Sequence, residues 1–346
     1  MKVKSCLVGL SLSAIITCSS NITASASSTE QPIVLGYTLY GTSTESLKVT
    51  QPVMNQVSTD SFFFDINGNV QGDVPIDVLN YSQNNKIKSY AAVSNFNNDI
   101  NYFDPKLAHD VLDSQEIRTN LINKMYDMVV ENHYAGVNID LENIYPEDRD
   151  LLTTFVKETS KKFHSSGHSV MVSVPAKNEE DRENTWTWPF DYAQLGKNAD
   201  FLQVMTYDEH GTWSEPGSTI SQPWLEENLD YTTRVVDNKK IIMGIPAYGN
   251  DWDLSDEKNS KMLAWKDTNA LIQKTKAKPH RDATSGSMVF TYTDKNNHKH
   301  EVWYEDETSI KQKTHYTITK NLAGVSVYAI GQENKQFWTA VSNGLK

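Results

Sequence analysis

The sequence predicts an α/β chain folded as a (β/α)8 TIM barrel, with a small α+β insertion between the seventh and eighth strands. Three observations carry this expectation. Eight short β-rich runs recur with helix-like stretches between them, the pattern of β/α units around a parallel sheet. No internal sequence period relates the segments, so what repeats is the type of element and not a solenoid unit. No glycine-rich dinucleotide loop follows the first run, which counts against the competing doubly wound open sheet. The eight runs are Ile33 to Tyr40, Ser61 to Ile66, Lys86 to Ser94, Gly136 to Glu142, Ser169 to Pro175, Phe201 to Tyr207, Lys240 to Pro246 and Gly324 to Ile330.

Ahead of the first run, residues 1–26 read as a secretory signal peptide. Lys2 and Lys4 precede an apolar stretch from Cys6 to Cys18, and the small-residue pattern Ala24-Ser25-Ala26 follows it. The apolar stretch is well short of the ~20 residues of a spanning helix, and no later stretch comes closer, so no membrane span is expected. A lipid anchor at Cys18 is disfavoured by Thr17 before it. The barrel is expected over 27–346, where no cysteine remains, so disulfides and thiol chemistry are excluded there. Export to the outside medium or a bacterial surface is the expected localisation.

Two helices are legible between the strands. Asp113 with Glu116 makes a capping box ahead of Ile117, Leu121, Ile122, Met125, Met128 and Val129, which share one helical face. The other starts at Pro146, carries Glu147, Asp148 and Asp150 in its first turns, and stops at Gly167. Between 250 and 306 the rhythm breaks. A helix over Asp267 to Lys274, a strand over Met288 to Thr293, a turn over Asp294 to Asn297 and a strand through Glu301 to Tyr304 form the insertion.

Composition narrows the partners. A hydrophobic fraction of 38% is enough for a packed core and sets disorder aside, and a net charge of -12 argues against nucleic acid. The 8 Trp and 16 Tyr exceed what a core requires and suit the flat faces of sugars. Trp186, Trp188, Trp213, Trp252 and Trp303 fall in or near loops, where stacking on sugar and ordinary packing both remain open. His164 and His168 lie too near a helix end for a zinc pair, and His280, His298 and His300 read as solvated. No metal and no cofactor is expected, and the chain is expected to act as a monomer.

The chemistry concentrates in Ala135-Gly136-Val137-Asn138-Ile139-Asp140-Leu141-Glu142. Side chains alternate along a strand, so Asn138, Asp140 and Glu142 share one face and Val137, Ile139 and Leu141 the other. In a barrel the apolar set meets the helices, while the polar set climbs toward the C-terminal mouth where such enzymes place their sites. Two neighbouring carboxyls there raise a pKa toward what a general acid needs. A polar barrel layer or a calcium-binding acid cluster would also account for the spacing.

This run resembles the fourth-strand motif Asp-Gly-x-Asp-x-Asp-x-Glu of the family 18 glycoside hydrolases, the chitinase and endo-N-acetylglucosaminidase family. Gln203-Val204-Met205-Thr206-Tyr207-Asp208 and Gly244-Ile245-Pro246-Ala247-Tyr248-Gly249 are also similar to that family, as is the insertion before the last strand. Val137-Asn138-Ile139-Asp140, taken with Met205 to His210, resembles the spore-cortex and cell-wall branch. Ala135 and Asn138 stand where the family has acids, and Tyr328 stands where it usually has a Trp under the reacting sugar.

What the resemblance implies is substrate-assisted hydrolysis with retention, without a cofactor. Glu142 protonates the leaving oxygen, Asp140 holds the acetamido N–H and shares a proton with Glu142, and Tyr207 donates to the acetamido oxygen. Asn138, Gln203, Met205, Asp208 and Tyr328 are the implied substrate-binding positions, with filling of a barrel layer the competing reading for Gln203 and Met205. The implied substrate is a glycan containing N-acetylglucosamine. A peptidoglycan- or cortex-lytic enzyme, a chitinase acting on chitooligosaccharides, and a carbohydrate-binding lectin on an inactive barrel are the three readings that follow.

Overall fold

A computed structural model describes residues 31–39 and 41–346. The segment 1–26, with Cys6 and Cys18, and Tyr40 at the end of the first predicted strand lie outside the described residues. Eight strands run parallel and close on themselves. They are β1 (Ile33–Thr38), β2 (Gln56–Phe64), β3 (Lys88–Ser94), β4 (Gly136–Asp140), β5 (Ser169–Pro175), β6 (Phe201–Met205), β7 (Ile241–Pro246) and β8 (Gly324–Tyr328). Each pairs with its sequence neighbour, and β8 returns to β1 with Ile33 opposite Gly324. The (β/α)8 barrel predicted from the alternation of elements is therefore the fold.

Several strand ends differ from expectation, most by one or two residues, and four of the differences matter here. The first stops at Thr38. The second starts five residues before Ser61, at Gln56, and a register shift between Asp60 and Phe62 bulges it at Ser61. That bulge breaks the alternation and hides the first half of the strand. The fourth stops at Asp140 and the sixth at Met205, so Glu142 and Tyr207 both lie beyond their ladders.

The strands' outward side chains build the main core. Val137 and Ile139 pack with Leu121, Met125, Phe155 and Val156 from the neighbouring helices, as the apolar face of the motif predicts. The helix Gln115–Glu131 is capped by Ser114 and not by Asp113, because Asp113 is the last residue of a preceding helix, Pro105–Asp113. The second legible helix is divided: Pro146–Asp148 forms a 3₁₀ turn and Arg149–His164 the α-helix, with Gly167 at φ 79° just beyond. No helix among the described residues is long and apolar enough to cross a membrane.

Between β7 and β8 a five-stranded antiparallel sheet spans Tyr248–Asp253, Lys261–Ala264, His280–Arg281, Met288–Thr293 and Lys299–Tyr304, with a helix over Trp265–Thr275. It is tied to the barrel at its base, where Ala247 N–H donates to Tyr328 C=O at 2.7 Å and Trp265 N–H to Ala247 C=O at 3.0 Å. Two of its histidines are not solvated as expected. His300 is buried, stacks on Tyr292 at 4.5 Å and pairs with Asp251 at 2.8 Å, and His298 pairs with Asp253 at 2.7 Å. The strand Tyr248–Asp253 supplies both carboxylates; His300 is taken out of water, while His298 stays partly exposed.

Candidate active site

The barrel interior is layered. At the bottom Leu35, Tyr90, Met171 and Ile242 form an apolar plug. Above it runs a buried polar belt. Asn138 Nδ2 donates to Tyr37 Oη at 2.9 Å and to Ser58 Oγ at 3.2 Å, and Asn138 Oδ1 accepts from Ser173 Oγ at 3.1 Å. Tyr37 Oη donates to Gln203 Oε1 at 3.2 Å, and Gln203 Nε2 donates to Ser326 Oγ at 2.9 Å. Asn138 and Gln203, both implied to bind substrate, are thus fully buried with their amides engaged by protein.

Two residues further along the same strand faces come the acids. Ser58 points at Asn138, so Asp60 and Asp140 stand one step above that contact on the same inward faces of β2 and β4. Between them the register places Ala92 of β3 opposite both Asp60 and Asn138, a methyl group that leaves the acids room. Asp140 Oδ1 is buried without a hydrogen-bond partner among the described residues. Glu142 follows beyond the ladder. Its backbone is held by one side chain: Glu142 N–H donates to Asn95 Oδ1 at 2.9 Å, and Asn95 Nδ2 donates to Glu142 C=O at 2.8 Å.

Across the mouth Tyr207 is fixed in a comparable way. Thr206 Oγ1 accepts from Gly244 N–H at 2.9 Å and donates to Gly244 C=O at 2.7 Å, which holds the chain where the β6 ladder has stopped. Gly244 itself is required there, since a Cβ would come within 2.6 Å of the Tyr207 ring. That ring stacks on Tyr328 at 5.8 Å and 24°, and Tyr328 leans on Tyr37 at 5.9 Å. Asp208 lies at the rim with φ 66° and accepts from Tyr248 Oη at 2.5 Å. Met205 continues the inward face of β6 between Gln203 and Tyr207 and is half-buried.

The electrostatics follow from this crowding. No Lys, Arg or His pairs with Asp60, Asp140, Glu142 or Asp208 among the described residues. Burial raises Asp60 to about 6, and burial with the Asp60 charge raises Asp140 to about 7. Glu142 is pushed well above the usual carboxylate range by burial and then by Asp140, Asp60 and Asp208. Such a cluster retains a proton at neutral pH and titrates as a unit. A retained proton on a carboxyl at a barrel mouth is what general acid catalysis needs.

The structure brings Asp140, Glu142, Tyr207, Asp208 and Tyr328 to one end of the barrel, with Asn138 and Gln203 beneath them. Sequence reasoning missed Asp60, Asn95 and Thr206. Only Asp60 left a signal, in the alternation Gln56, Ser58, Asp60. The loop tryptophans separate. Trp213 is 72% exposed and Trp186 40%, whereas Trp252 is buried with its Nε1 donating to Ser214 C=O at 2.9 Å. Trp188 packs against the guanidinium groups of Arg149 and Arg182, at 4.2 and 5.1 Å from its ring.

Comparison with known proteins agrees with this architecture. The family described as "Glycosyl hydrolases family 18" matches residues 61–333. The chain is 42% identical over 315 residues to the "uncharacterized glycosylase YvbX" of Bacillus subtilis, covering 91% of this chain and 92% of that one. A crystal structure of a chitinase from Chromobacterium violaceum superposes with a TM-score of 0.86 at 32% identity, covering 91% of this chain and 99% of that one. The spore cortex-lytic enzyme SleL of Bacillus cereus shares the fold, with a TM-score of 0.85 at 22% identity over 91% of this chain and 75% of that one.

Proposed function

The chain belongs to glycosyl hydrolase family 18 and is a glycoside hydrolase, and from that premise we propose that it cleaves β-linked N-acetylglucosamine bonds in peptidoglycan- or spore-cortex-type glycan by a retaining, substrate-assisted route. The observation that carries the reading is the cation-free carboxyl cluster around Asp140 and Glu142, faced across the mouth by Tyr207. Glu142, kept protonated by its neighbours, gives its proton to the glycosidic oxygen as the C1–O bond breaks. The acetamido carbonyl oxygen of the same sugar attacks C1 and forms an oxazolinium ion, so no protein nucleophile is used. Asp140, as the carboxylate of the pair, accepts the acetamido N–H, and the Tyr207 hydroxyl donates to the acetamido oxygen. Water then attacks C1, the oxazolinium C1–O bond opens, and the ionised Glu142 takes the water's proton. Holding the two reacting groups of one sugar in line makes the first step intramolecular, which supplies much of the rate.

In this reading Tyr328 and Tyr37 form the aromatic floor, Met205 and Asp208 line the pocket, and the exposed Trp213 offers a face for a further sugar. Asn138 and Gln203 act from beneath, by holding Tyr37 and the strands in place. The signal-like segment 1–26 supports export to the cell wall or spore. The likeness to a cortex-lytic enzyme supports the wall-type substrate, and the 32% identity to a chitinase favours chitooligosaccharides as the second reading. Glu142 counts against a lectin, which needs no buried acid.

Separate digests of purified peptidoglycan, cortex fragments and chitooligosaccharides test this, with the new reducing-end sugar identified by mass spectrometry after reduction. N-acetylglucosamine ends from the first two substrates are expected. A thiazoline mimic of the oxazolinium ion is expected to inhibit competitively. Turnover of chitooligosaccharides alone selects the second reading, binding without turnover selects the lectin, and efficient cleavage of plain glucosides refutes the acetamido nucleophile.

A further inference from the structure

Glu142 stands past the last rung of its strand. The β3–β4 ladder ends with Ser94 opposite Asp140, and the β4–β5 ladder with Ile139 opposite Val172. A residue two places further on has no neighbouring main chain to set its height or its direction. Asn95 supplies that main chain's equivalent. A primary amide carries one acceptor and one pair of donor hydrogens, and here it presents them to Glu142 N–H and C=O at 2.9 and 2.8 Å, as a paired strand residue would.

The amide is itself fixed. Asn95 is fully buried, its Nδ2 also donates to Asp104 C=O at 3.1 Å, and its own C=O accepts from Asp104 N–H at 3.0 Å. Asp104 caps the helix Pro105–Asp113, so the clamp ends on a rigid element. Beyond Glu142, Asn143 adopts φ 51° and its Nδ2 donates to Phe103 C=O at 3.1 Å. The chain on both sides of the acid is therefore anchored to the segment after β3.

We infer that Asn95 is a positioning residue for proton donation by Glu142, extending the geometry of β4 two residues beyond its ladder so that the carboxyl meets the leaving oxygen. The inference rests on the reading of Glu142 as the general acid. Proton transfer requires the donor within hydrogen-bond reach of its target, and an error of about 1 Å in such a group costs up to about 100-fold. Asn95→Ala removes both bonds to Glu142. Asn95→Asp keeps the acceptor for Glu142 N–H and sets a carboxylate oxygen against Glu142 C=O.

The test compares two substrates with the same N-acetylglucosamine-containing donor sugar. One carries a sugar leaving group, which needs protonation, and the other a 2,4-dinitrophenyl group, which leaves almost unaided. Asn95→Ala is expected to lose about 10- to 100-fold in kcat on the first and less than about 3-fold on the second, with KM little changed, and Asn95→Asp to lose less than Asn95→Ala on the first. Turnover of the dinitrophenyl substrate also reports that a variant is folded; should Asn95→Ala show none, Asn95→Asp carries the comparison. Equal losses on both substrates, a loss confined to KM, or wild-type rates on both would overturn the inference. Glu142→Gln in the same pair of assays separates the two levels. If it lacks the same dependence on leaving group, the reading of Glu142 has failed and not merely its positioning by Asn95.

Discussion

The belt of Tyr37, Ser58, Asn138, Ser173, Gln203 and Ser326 and the acids directly above it lie on the same strands and face the same interior. The belt is built from amides and hydroxyls, which both donate and accept, and its central amide satisfies three neighbours at 2.9 to 3.2 Å. Ionised carboxylates only accept. Asp60, Asp140 and Glu142 have no cation among the described residues, and Asp140 Oδ1 has no donor, so the layer lowers its energy chiefly by keeping protons. One step along a strand changes the interior from a rigid, neutral support to a site held ready for proton transfer. Changes in the belt should cost stability, and changes among the acids should cost chemistry.

The largest expected effect is that of Glu142→Gln, which keeps shape but cannot donate a proton. A fall in kcat of at least ~100-fold is expected, with thiazoline binding and the circular dichroism spectrum retained. Activity near wild type would remove the acid from its role. Asp140→Asn should fall next, and by more than Asn138→Ala, because in the proposed route Asp140 serves both the acetamido group and Glu142.

Stability should move the other way. Raised pKa values mean that folding retains protons which the unfolded chain releases above about pH 4, so the contribution of these acids to stability is lost as pH rises from there through about 7 for Asp140. Asp140→Asn is therefore expected to gain in Tm over wild type at pH 8 relative to pH 4. Asn138→Ala should instead lose about 1–3 kcal/mol by leaving buried hydroxyls unpaired, with kcat of the folded protein largely kept. Denaturant titrations at both pH values measure both outcomes, and equal behaviour of the two variants would erase the distinction between layers.

A subtler change sharpens it. Asp60→Asn removes a negative charge that holds the proton on Glu142, so the alkaline limb of kcat/KM should move down by up to about one pH unit. Asn138→Asp adds one and should move that limb up while losing stability, since the amide's donations to Tyr37 and Ser58 are gone. An unmoved profile in both would mean that these side chains do not share one titrating cluster. The smallest effect belongs to the insertion. Asp253 raises the His298 pKa, so the stability from that pair is present at low pH and lost as pH rises through the folded value, and His298→Gln should lower Tm more at pH 5.5 than at pH 9.

How far the sequence could be read follows from the same physics. Period-two alternation marks strands whose two faces differ, and β4 shows it cleanly because Val137 and Ile139 meet helices while Asn138 and Asp140 meet the interior. The first half of β2 carries Gln56, Ser58 and Asp60 inward, but the bulge at Ser61 shifts the phase, so the predicted strand begins only at Ser61 and leaves Asp60 outside it. Ladder ends are invisible for another reason. Asn95 and Thr206 are ordinary turn and strand residues in sequence, and only the fold shows one clamping Glu142 and the other bridging Gly244. The helix cap shifted from Asp113 to Ser114 because two helices abut where one was legible.

The pairing of β1 with β8 also has a consequence for the order in which the chain emerges during synthesis. Ile33 finds its partner only when Gly324 has been made. Until then the growing chain carries two unpaired sheet edges, and Gln203 lacks the hydroxyl of Ser326 that completes its hydrogen bonding. Exposed edges of this kind are templates for association. A chain that stops short of residue 324 keeps Asp60, Asn95, Asp140, Glu142 and Tyr207 yet is left with an open barrel, so the final stretch of translation decides between a closed fold and a self-adhesive intermediate.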